Sequence, residues 1–550
     1  MKKVSLFITI EKVFFIFFIP LGLIASIYIG VTWDEIYESI TFKANLSAIL
    51  GLLQGDLSEY QALKSHHDRY YGVGFHLIEN LVSSLLFSIR NNLYPFSELA
   101  SYLIYSHISV FLVFCLSGYL VQRLIFRFTG DLRVAILGMM AFLLWPYMLG
   151  HGLMNIKDTP FMFLWLICTN YMLFALDASN FSLSWPVIKK IIILGLLTGL
   201  LIGIRISGVL IFLQYFIVLI FYLGQKKKTG ISFFDDYKNK IKFFIAGVTF
   251  LILPCFISLY LLYPLFWLDP IEFFNAIRYQ SHNPITIDTL TAGRFFSSQD
   301  TLYYYIPYWL SIKLPLVVII GLLCNFFALY KMNQNKEGTK RNNLYYFLGL
   351  QLTVICIIFF LLLNHVHLYN ELRHLLFIFP LLFVFGVVGV YYVGQRLTIS
   401  LLIISIMIFS ADNIKIFPYQ YTYFNEIARQ LNLEDKFEKD YFAISAQKTA
   451  EWLNARDIPL GSGCIYVSPL HLWKYSLDFR KYPCVQEYPK KGFAEESSSF
   501  MVYGQVRERA NFLSLPYCSI IHSEEIQLPL GSNPLVMSQL YLCRPNSERY

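Results

Sequence analysis

Leu375-Leu-Phe-Ile-Phe-Pro-Leu-Leu-Phe-Val-Phe-Gly-Val-Val-Gly-Val-Tyr-Tyr-Val393 carries no charged side chain from end to end. A helix needs about 20 predominantly apolar residues to cross the hydrocarbon core of a bilayer. With His374 in front, this run reads as a membrane span, His374–Val393. Comparable runs recur on both sides of it: Val13–Gly30, Ser101–Leu120, Val134–Leu149, Pro160–Leu176, Ile191–Ile204, Ser207–Leu223, Phe243–Leu262, Ile306–Leu329, Leu344–Leu363 and Leu397–Ser410. The expected fold class is therefore an all-α polytopic membrane protein of about eleven transmembrane helices. No small-x-small cleavage site follows the first run, so it reads as a retained helix rather than a signal peptide.

Composition agrees. The 550 residues are 56% hydrophobic and only 15% charged, against about 25% charged in a soluble domain. The net charge of +8 would suit nucleic acid if it were clustered on a soluble face, but much of it sits in short loops between the apolar runs. With the N-terminus in the cytoplasm, alternation puts Arg123, Arg127 and Arg133 on that same side. It also puts there Lys189 and Lys190, Lys226 to Lys228 with Lys238, Lys240 and Lys242, then Lys331, Lys336, Lys340 and Arg341, and Arg396. That is the positive-inside pattern. Fusing Ile191–Ile204 with Ser207–Leu223 would move the Lys226 cluster outside, so two helices are expected. No internal repeat is visible, so an inverted-repeat transporter has no support in the sequence.

The opposite, outer side then receives the first loop (31–100), the 150–159 loop, the 263–305 loop, the 364–373 turn and the tail. In the first loop, Phe75–Ile89 is apolar on one face and is expected to lie as an interfacial helix. The tail has strand-like runs at Gly463–Ser468 and Ser499–Gly504 and a helical stretch at Ala446–Arg456. It is expected to form a small α/β domain, with 1–411 as the membrane domain and 412–550 outside the cytoplasm. Of nine cysteines, Cys464, Cys484, Cys518 and Cys543 all fall in this tail. One or two disulfides in an oxidising compartment are expected there, with three pairings open.

The chemistry-bearing residues fall in the outer segments. Thr32-Trp33-Asp34-Glu35 follows the first helix directly. Two carboxylates at a membrane exit are costly unless solvated or used, and Asp34 is a candidate general base, with Glu35 binding acceptor or supporting the site. His151-Gly-Leu-Met-Asn155-Ile-Lys157-Asp158-Thr-Pro160 contains ordinary helix-start chemistry, with Asp158 or Thr159 as cap before Pro160. That does not account for His151, Asn155 and Lys157 together, and Lys157 is a candidate phosphate contact. Arg205 lies between two apolar helices, either snorkelling to the interface or partnering a carboxylate such as Glu35. Arg373 and His374 end a turn that also holds His365 and His367. A guanidinium suits a phosphate there better than the histidines suit zinc. His66-His67-Asp68 is a faint metal-like tract. Arg294 and Lys313 flank the aromatic run Tyr303–Trp309, itself typical of a membrane interface, and Lys313 is placed to reach a lipid phosphate. No Walker loop, dinucleotide fingerprint or nucleophile elbow occurs.

Together these motifs resemble the C-type (GT-C) glycosyltransferase superfamily. The likeness is to its bacterial dolichyl-phosphate-mannose–protein mannosyltransferase-like and aminoarabinose-transferase-like branches. Asp34-Glu35 resembles the acidic motif of the first outer loop. Asn155-Ile-Lys-Asp-Thr-Pro-Phe161 resembles an Asn-Pro-Lys-Asp-x-Pro-Phe loop, with Ile156 in place of proline. Tyr304–Pro315, Leu368–His374 (with Glu371 at a position where a small residue is usual) and Pro418–Asn425 are also similar, and the likeness fades beyond Asn425. The resemblance implies an inverting glycosyltransferase that moves a sugar from a polyprenyl-phosphate donor to a hydroxyl acceptor. Asp34 would be the base, and Arg373, His374, Lys157, Lys313 or Arg294 would hold the donor phosphate. His151, Asn155, Asp158 and Arg205 would support the site. Divalent-metal use varies in the superfamily, so a metal is possible and no metal ligand is assigned. The implied partners are the lipid-linked donor, an acceptor and membrane lipids, without nucleic acid, and the implied location is a bacterial inner membrane with a periplasmic tail. Two rivals are a flippase for a lipid-linked sugar and a non-catalytic glycolipid-binding protein. A flippase needs polar residues through the middle of its helices, whereas here they gather at the outer ends.

Overall fold

The computed structural model describes residues 2–89, 98–179, 184–225, 233–282, 286–300, 303–334, 338–460, 463–489, 493, 498–505, 516–529, 531 and 534–545. Lys226, Lys227, Lys228 and Lys336 lie outside these. Among the described residues, nine helices are long and apolar enough to cross a membrane, or up to eleven if each of two bent helix pairs counts as one span. The bends fall where Val134–Leu149 and Ile306–Leu329 read as unbroken spans. Leu132–Leu144 meets Pro146–Met154 at 63°, and Tyr305–Lys313 meets Leu316–Leu323 at 118°. Proline explains both. Its ring disfavours helical geometry in the preceding residue, and Trp145 (ψ 115°) before Pro146 and Leu314 (ψ 133°) before Pro315 leave the helical region. Trp185–Ile204 and the following Ile206–Gly224 span stay separate, with Arg205 extended between them (φ −143°, ψ 130°).

The bundle is held by close packing, because apolar side chains gain little by leaving lipid for one another. At the crossing of Leu316–Leu323 with Phe379–Val393 the two backbones touch. A Cβ on Gly321 would stand 1.8 Å from the Gly386 carbonyl oxygen, and one on Gly389 would stand 1.9 Å from that of Gly321. Gly321→Ala is therefore expected to destabilise the detergent-solubilised protein by about 1–3 kcal/mol, as overpacking does. Gly247→Ala, where a Cβ meets only Ile191 at 4.0 Å, is expected to be neutral or slightly stabilising. Thermal unfolding of the two variants checks this.

Between the first two spans lie the helices Glu35–Leu53, Ser58–Ser65 and His76–Ile89. The last is the expected amphipathic helix, with Leu81, Leu85 and Ile89 exposed and His76 and Glu79 buried. Beyond the last span (Gln395–Ile416) the chain re-enters the protein. Arg429 clamps Asp412 through two bonds of 2.9 and 2.7 Å and donates to the Phe424 and Pro529 carbonyls. The tail forms a five-stranded sheet in the order Val485–Glu487, Ile465–Val467, Phe500–Gln505, Leu535–Cys543, Cys518–Ile526. Its first three strands are parallel and the last two antiparallel. The helices Ile444–Asn454 and Leu470–Ser476 share a buried core with the sheet. Of the three possible pairings the disulfides are Cys464–Cys484 and Cys518–Cys543. Strand pairing brings each couple together: Cys518 lies opposite Cys543 in register, and Cys464 and Cys484 lead into neighbouring parallel strands.

Candidate active site

A cavity of about 430 Å³ opens where the segments expected on the outer side converge. The first loop supplies Thr32, Trp33, Asp34, Glu38, His67, Asp68 and Tyr71. Asn155, Lys157 and Asp158 come from the turn between two spans, and Arg205 from the break between two others. Tyr369, Asn370 and Arg373 come from the turn before Phe379–Val393, and Glu438, Tyr441, Phe442 and Gln505 from the tail.

Three cation–carboxylate pairs ring this space: Arg373 with Asp34, Arg205 with Asp158, and Lys157 with Glu38. The carboxylates differ in access. The Asp34 side chain is 42% exposed, against 11% for Glu38 and 5% for Asp158. Of the three paired acids, Asp34 is thus the one most open to a solute entering the cavity. Helix geometry places it, because Asp34 is the N-cap of Glu35–Leu53, and Glu38 and Thr41 follow it on one face at helical spacing.

Glu35, one residue on, points elsewhere. It is fully buried, accepts a 2.9 Å bond from the Thr32 amide and lies 2.9 Å from His107 Nε2. The His107 Nδ1 meets the Ser26 carbonyl at 2.9 Å. Glu35 therefore braces the turn that carries Asp34 and does not face the cavity. Arg205 has Asp158, not Glu35, as its partner. Asp158 does not cap its own helix either: the Asn155 side-chain oxygen accepts from the amides of Lys157 (3.2 Å) and Asp158 (2.8 Å). The Asn155 amide group meets His151 Nδ1 at 2.9 Å and Asp158 at 3.0 Å, and His151 Nε2 meets the Tyr441 hydroxyl at 3.1 Å. His151 supports the site from behind and ties it to the tail.

Of the five expected phosphate ligands, Lys157 and Arg373 line the cavity. Lys313 does not: it is fully buried 2.9 Å from Glu371, boxed by Phe424, Tyr147 and Trp309. Arg294 is exposed on the hairpin Asp288–Thr291/Arg294–Ser297. His374 packs edge-on against Tyr369, behind the lining. His365 and His367 lie outside the lining, while His67 and Asp68 belong to it. Among the described residues no three His, Cys, Asp or Glu side chains converge as a metal set.

Sequence reasoning missed Glu38, His76 and Glu79. Glu38 stands four residues after Asp34, a spacing that signals a shared face. Its Oε1 meets Lys157 and its Oε2 lies 3.4 Å from His76, which lies 3.4 Å from Glu79. Lys157 also sits 3.7 Å above the Tyr71 ring. Burial alone would raise Glu38, but Lys157 and His76 outweigh it and hold its carboxyl at about 2. Burial would lower His76, and its bonds to Glu38 and Glu79 lift it instead to about 9. The folded state thus holds the His76 proton more tightly than the unfolded chain, so this contribution is complete below about pH 6.5 and lost as pH rises through about 9. The Glu38 contribution is complete above about pH 4.5 and lost only as pH falls towards about 2. Thermal stability in detergent is expected to decline between pH 6.5 and 9, and His76→Gln should flatten that decline.

No protein-family model and no curated protein matches this chain. Two solved structures are similar to it. The crystal structure of ArnT from Cupriavidus metallidurans in the apo state matches over 98% of both chains at 12% identity, with a TM-score of 0.45. The crystal structure of the same protein bound to undecaprenyl phosphate matches over 99% of this chain and 98% of that one, also at 12% identity, with a TM-score of 0.41.

Proposed function

We propose that this protein is an inverting glycosyltransferase that takes a sugar from a polyprenyl-phosphate donor and passes it to a hydroxyl acceptor at the outer face of a bacterial inner membrane. The observation that carries this reading is Asp34: a half-open carboxylate at a cavity wall, paired with a nearly buried guanidinium, with two more cations on the same cavity. A carboxylate able to accept a proton beside cations whose chemistry suits a phosphate supports the reading.

In the structure the Arg373 guanidinium is paired with Asp34. A donor phosphate competes for that guanidinium, and Arg is suited to grip it through two parallel bonds. Asp34 is then released to accept the acceptor's proton. The hydroxyl oxygen bonds to the anomeric carbon from the face opposite the phosphate. The bond from that carbon to the phosphate oxygen breaks, and the oxygen keeps the electron pair. Arg373, Lys157 and Arg205 stabilise the departing charge. Because the leaving group is already a phosphate, no general acid is required. In this reading the N-terminus is cytoplasmic and the tail periplasmic, and Tyr441, Phe442 and Gln505 close the cavity from the tail.

The test is transfer of radiolabelled sugar from a panel of polyprenyl-phosphate sugars, with purified protein, its Asp34→Asn variant and host membrane extract as acceptor source. Transfer by the wild type that is lost in a folded, donor-binding Asp34→Asn variant supports the reading. Transfer that survives the substitution overturns the role of Asp34.

A further inference from the structure

The helix Glu98–Thr129 runs from beneath the turn that carries Asp34, where its buried His107 meets Glu35, to the opposite end of the bundle. Its outward face is a stripe of exposed Leu112, Leu116, Tyr119, Arg123 and Phe126. The alternating spacing of four and three residues keeps these on one side of the helix. Arg123 is the charged residue in a stripe that otherwise suits lipid. It lies six residues before the end of the helix, about 9 Å along the axis at the rise of an α-helix. A charge at that depth is costly unless it finds water or a counter-charge.

Arg123 stands on two adjoining hollows. One, of about 640 Å³, has a mixed wall whose polar groups include Arg127, Asp177 and Asn343 beside rings such as Phe126 and Tyr391. The other, of about 190 Å³, is an apolar groove between Leu120, Ile167, Tyr171 and Phe174. Arg123 and Asn170 line both, so the hollows are continuous. Arg127 is neutralised by Asp177 at 2.7 Å. Arg123 has no carboxylate partner among the described residues. A second cation, Lys190, lies outside the lining of both hollows but against Phe174 of the groove, its ammonium 4.9 Å from the centre of that ring. A positively charged pocket that continues into an apolar groove on a lipid-facing helix has the chemistry of a phospholipid: anionic head above, acyl chain below.

We propose that this is a binding site for an acidic phospholipid, with Arg123 on the phosphate, Lys190 beside it and one acyl chain along Leu120, Ile167 and Phe174. It is separate from the cavity of Asp34 and does not rest on the glycosyltransferase reading. Two uncompensated cations favour an acidic headgroup over a zwitterionic one.

Native mass spectrometry of the full chain in mild detergent, with phosphatidylglycerol or phosphatidylcholine added, tests the site. The wild type is expected to retain phosphatidylglycerol in preference. Arg123→Gln and Lys190→Gln are each expected to weaken that retention about fivefold, as the loss of one cation beside an acidic lipid does, while Arg123→Lys largely keeps it. Both positions are away from the core, and unfolding temperatures confirm the fold of each variant. If one fails to fold, the other carries the test. Equal retention of the two lipids, or an unchanged preference in the glutamine variants, overturns the proposal. Displacement of phosphatidylglycerol by millimolar inorganic phosphate also overturns it, since the site would then be one for a free anion.

Discussion

Asp34→Asn is expected to lower sugar transfer by about 10²–10⁴-fold, the usual contribution of a positioned general base, while the unfolding temperature and donor binding hold. Asparagine keeps the shape of the side chain and still offers an oxygen to Arg373, but it cannot take up the acceptor's proton. The fold tolerates the change because Asp34 is half-open to the cavity and its pair with Arg373 is partly solvated. Glu35→Gln should behave in the opposite way. Glu35 is fully buried against His107 and the Thr32 amide, so the change disturbs buried hydrogen bonds. Leaving a buried polar partner unsatisfied costs about 1–3 kcal/mol. The two neighbouring acids thus separate by readout: Asp34→Asn loses rate with stability kept, and Glu35→Gln loses stability first. Single-turnover transfer and thermal unfolding on the same preparations check both halves. Equal loss of stability in the two variants would contradict the assignment.

The second large effect is expected at Lys313 and Glu371. Both side chains are wholly buried, 2.9 Å apart, with three aromatic rings around the ammonium. Glu371→Leu alone leaves a lysine charge stranded in this box and is expected to cost about 3–5 kcal/mol. Lys313→Met does the same to the carboxylate. The double variant Lys313→Met/Glu371→Leu is expected to recover most of the loss, because a buried ion pair is often replaceable by apolar residues of similar volume. Denaturant unfolding in detergent across this cycle measures the coupling. The pair has a position as well as an energy. Asn370 and Glu371 are both left-handed, at φ 52° and 65°, a conformation costly for residues other than glycine. The ion pair with Lys313 anchors the turn that delivers Arg373 to the cavity two residues later. Lys313, which reads in sequence as a phosphate ligand, is in the structure an anchor for the residue that lines the site.

How far the site was readable differs from residue to residue. Asp34, Lys157, Asp158, Arg205 and Arg373 stood out because charged residues at the ends of apolar runs are costly, and all five line one cavity. Their partners could not be read. Arg205 goes to Asp158 rather than Glu35 because the break at Arg205 faces the start of another span, a neighbourhood fixed by helix packing alone. Glu38 and His76 were passed over because one lies inside a helix and the other opens a helix that reads as interfacial. Their importance comes from meeting each other and Lys157 across the first loop. The bends at Pro146 and Pro315 were hidden by continuous hydrophobicity, although the prolines themselves were in plain view.

Hydrophobic run length and loop charge, both local properties of the chain, already determined a polytopic helical membrane protein with several of its charged side chains gathered towards one end. The clustering of four cysteines in a mixed tail likewise pointed to strands and disulfides there, because strand-like runs and thiols are marks of local sequence. Tertiary structure decided everything that depends on direction: which way Asp34 and Glu35 point one helical residue apart, which acid each cation meets, which cysteines pair, and that Lys313 turns inward. A sequence sets the order of residues along a helix, but the rotation of that helix against its neighbours, settled by contacts such as Gly321 on Gly386, determines what each residue faces.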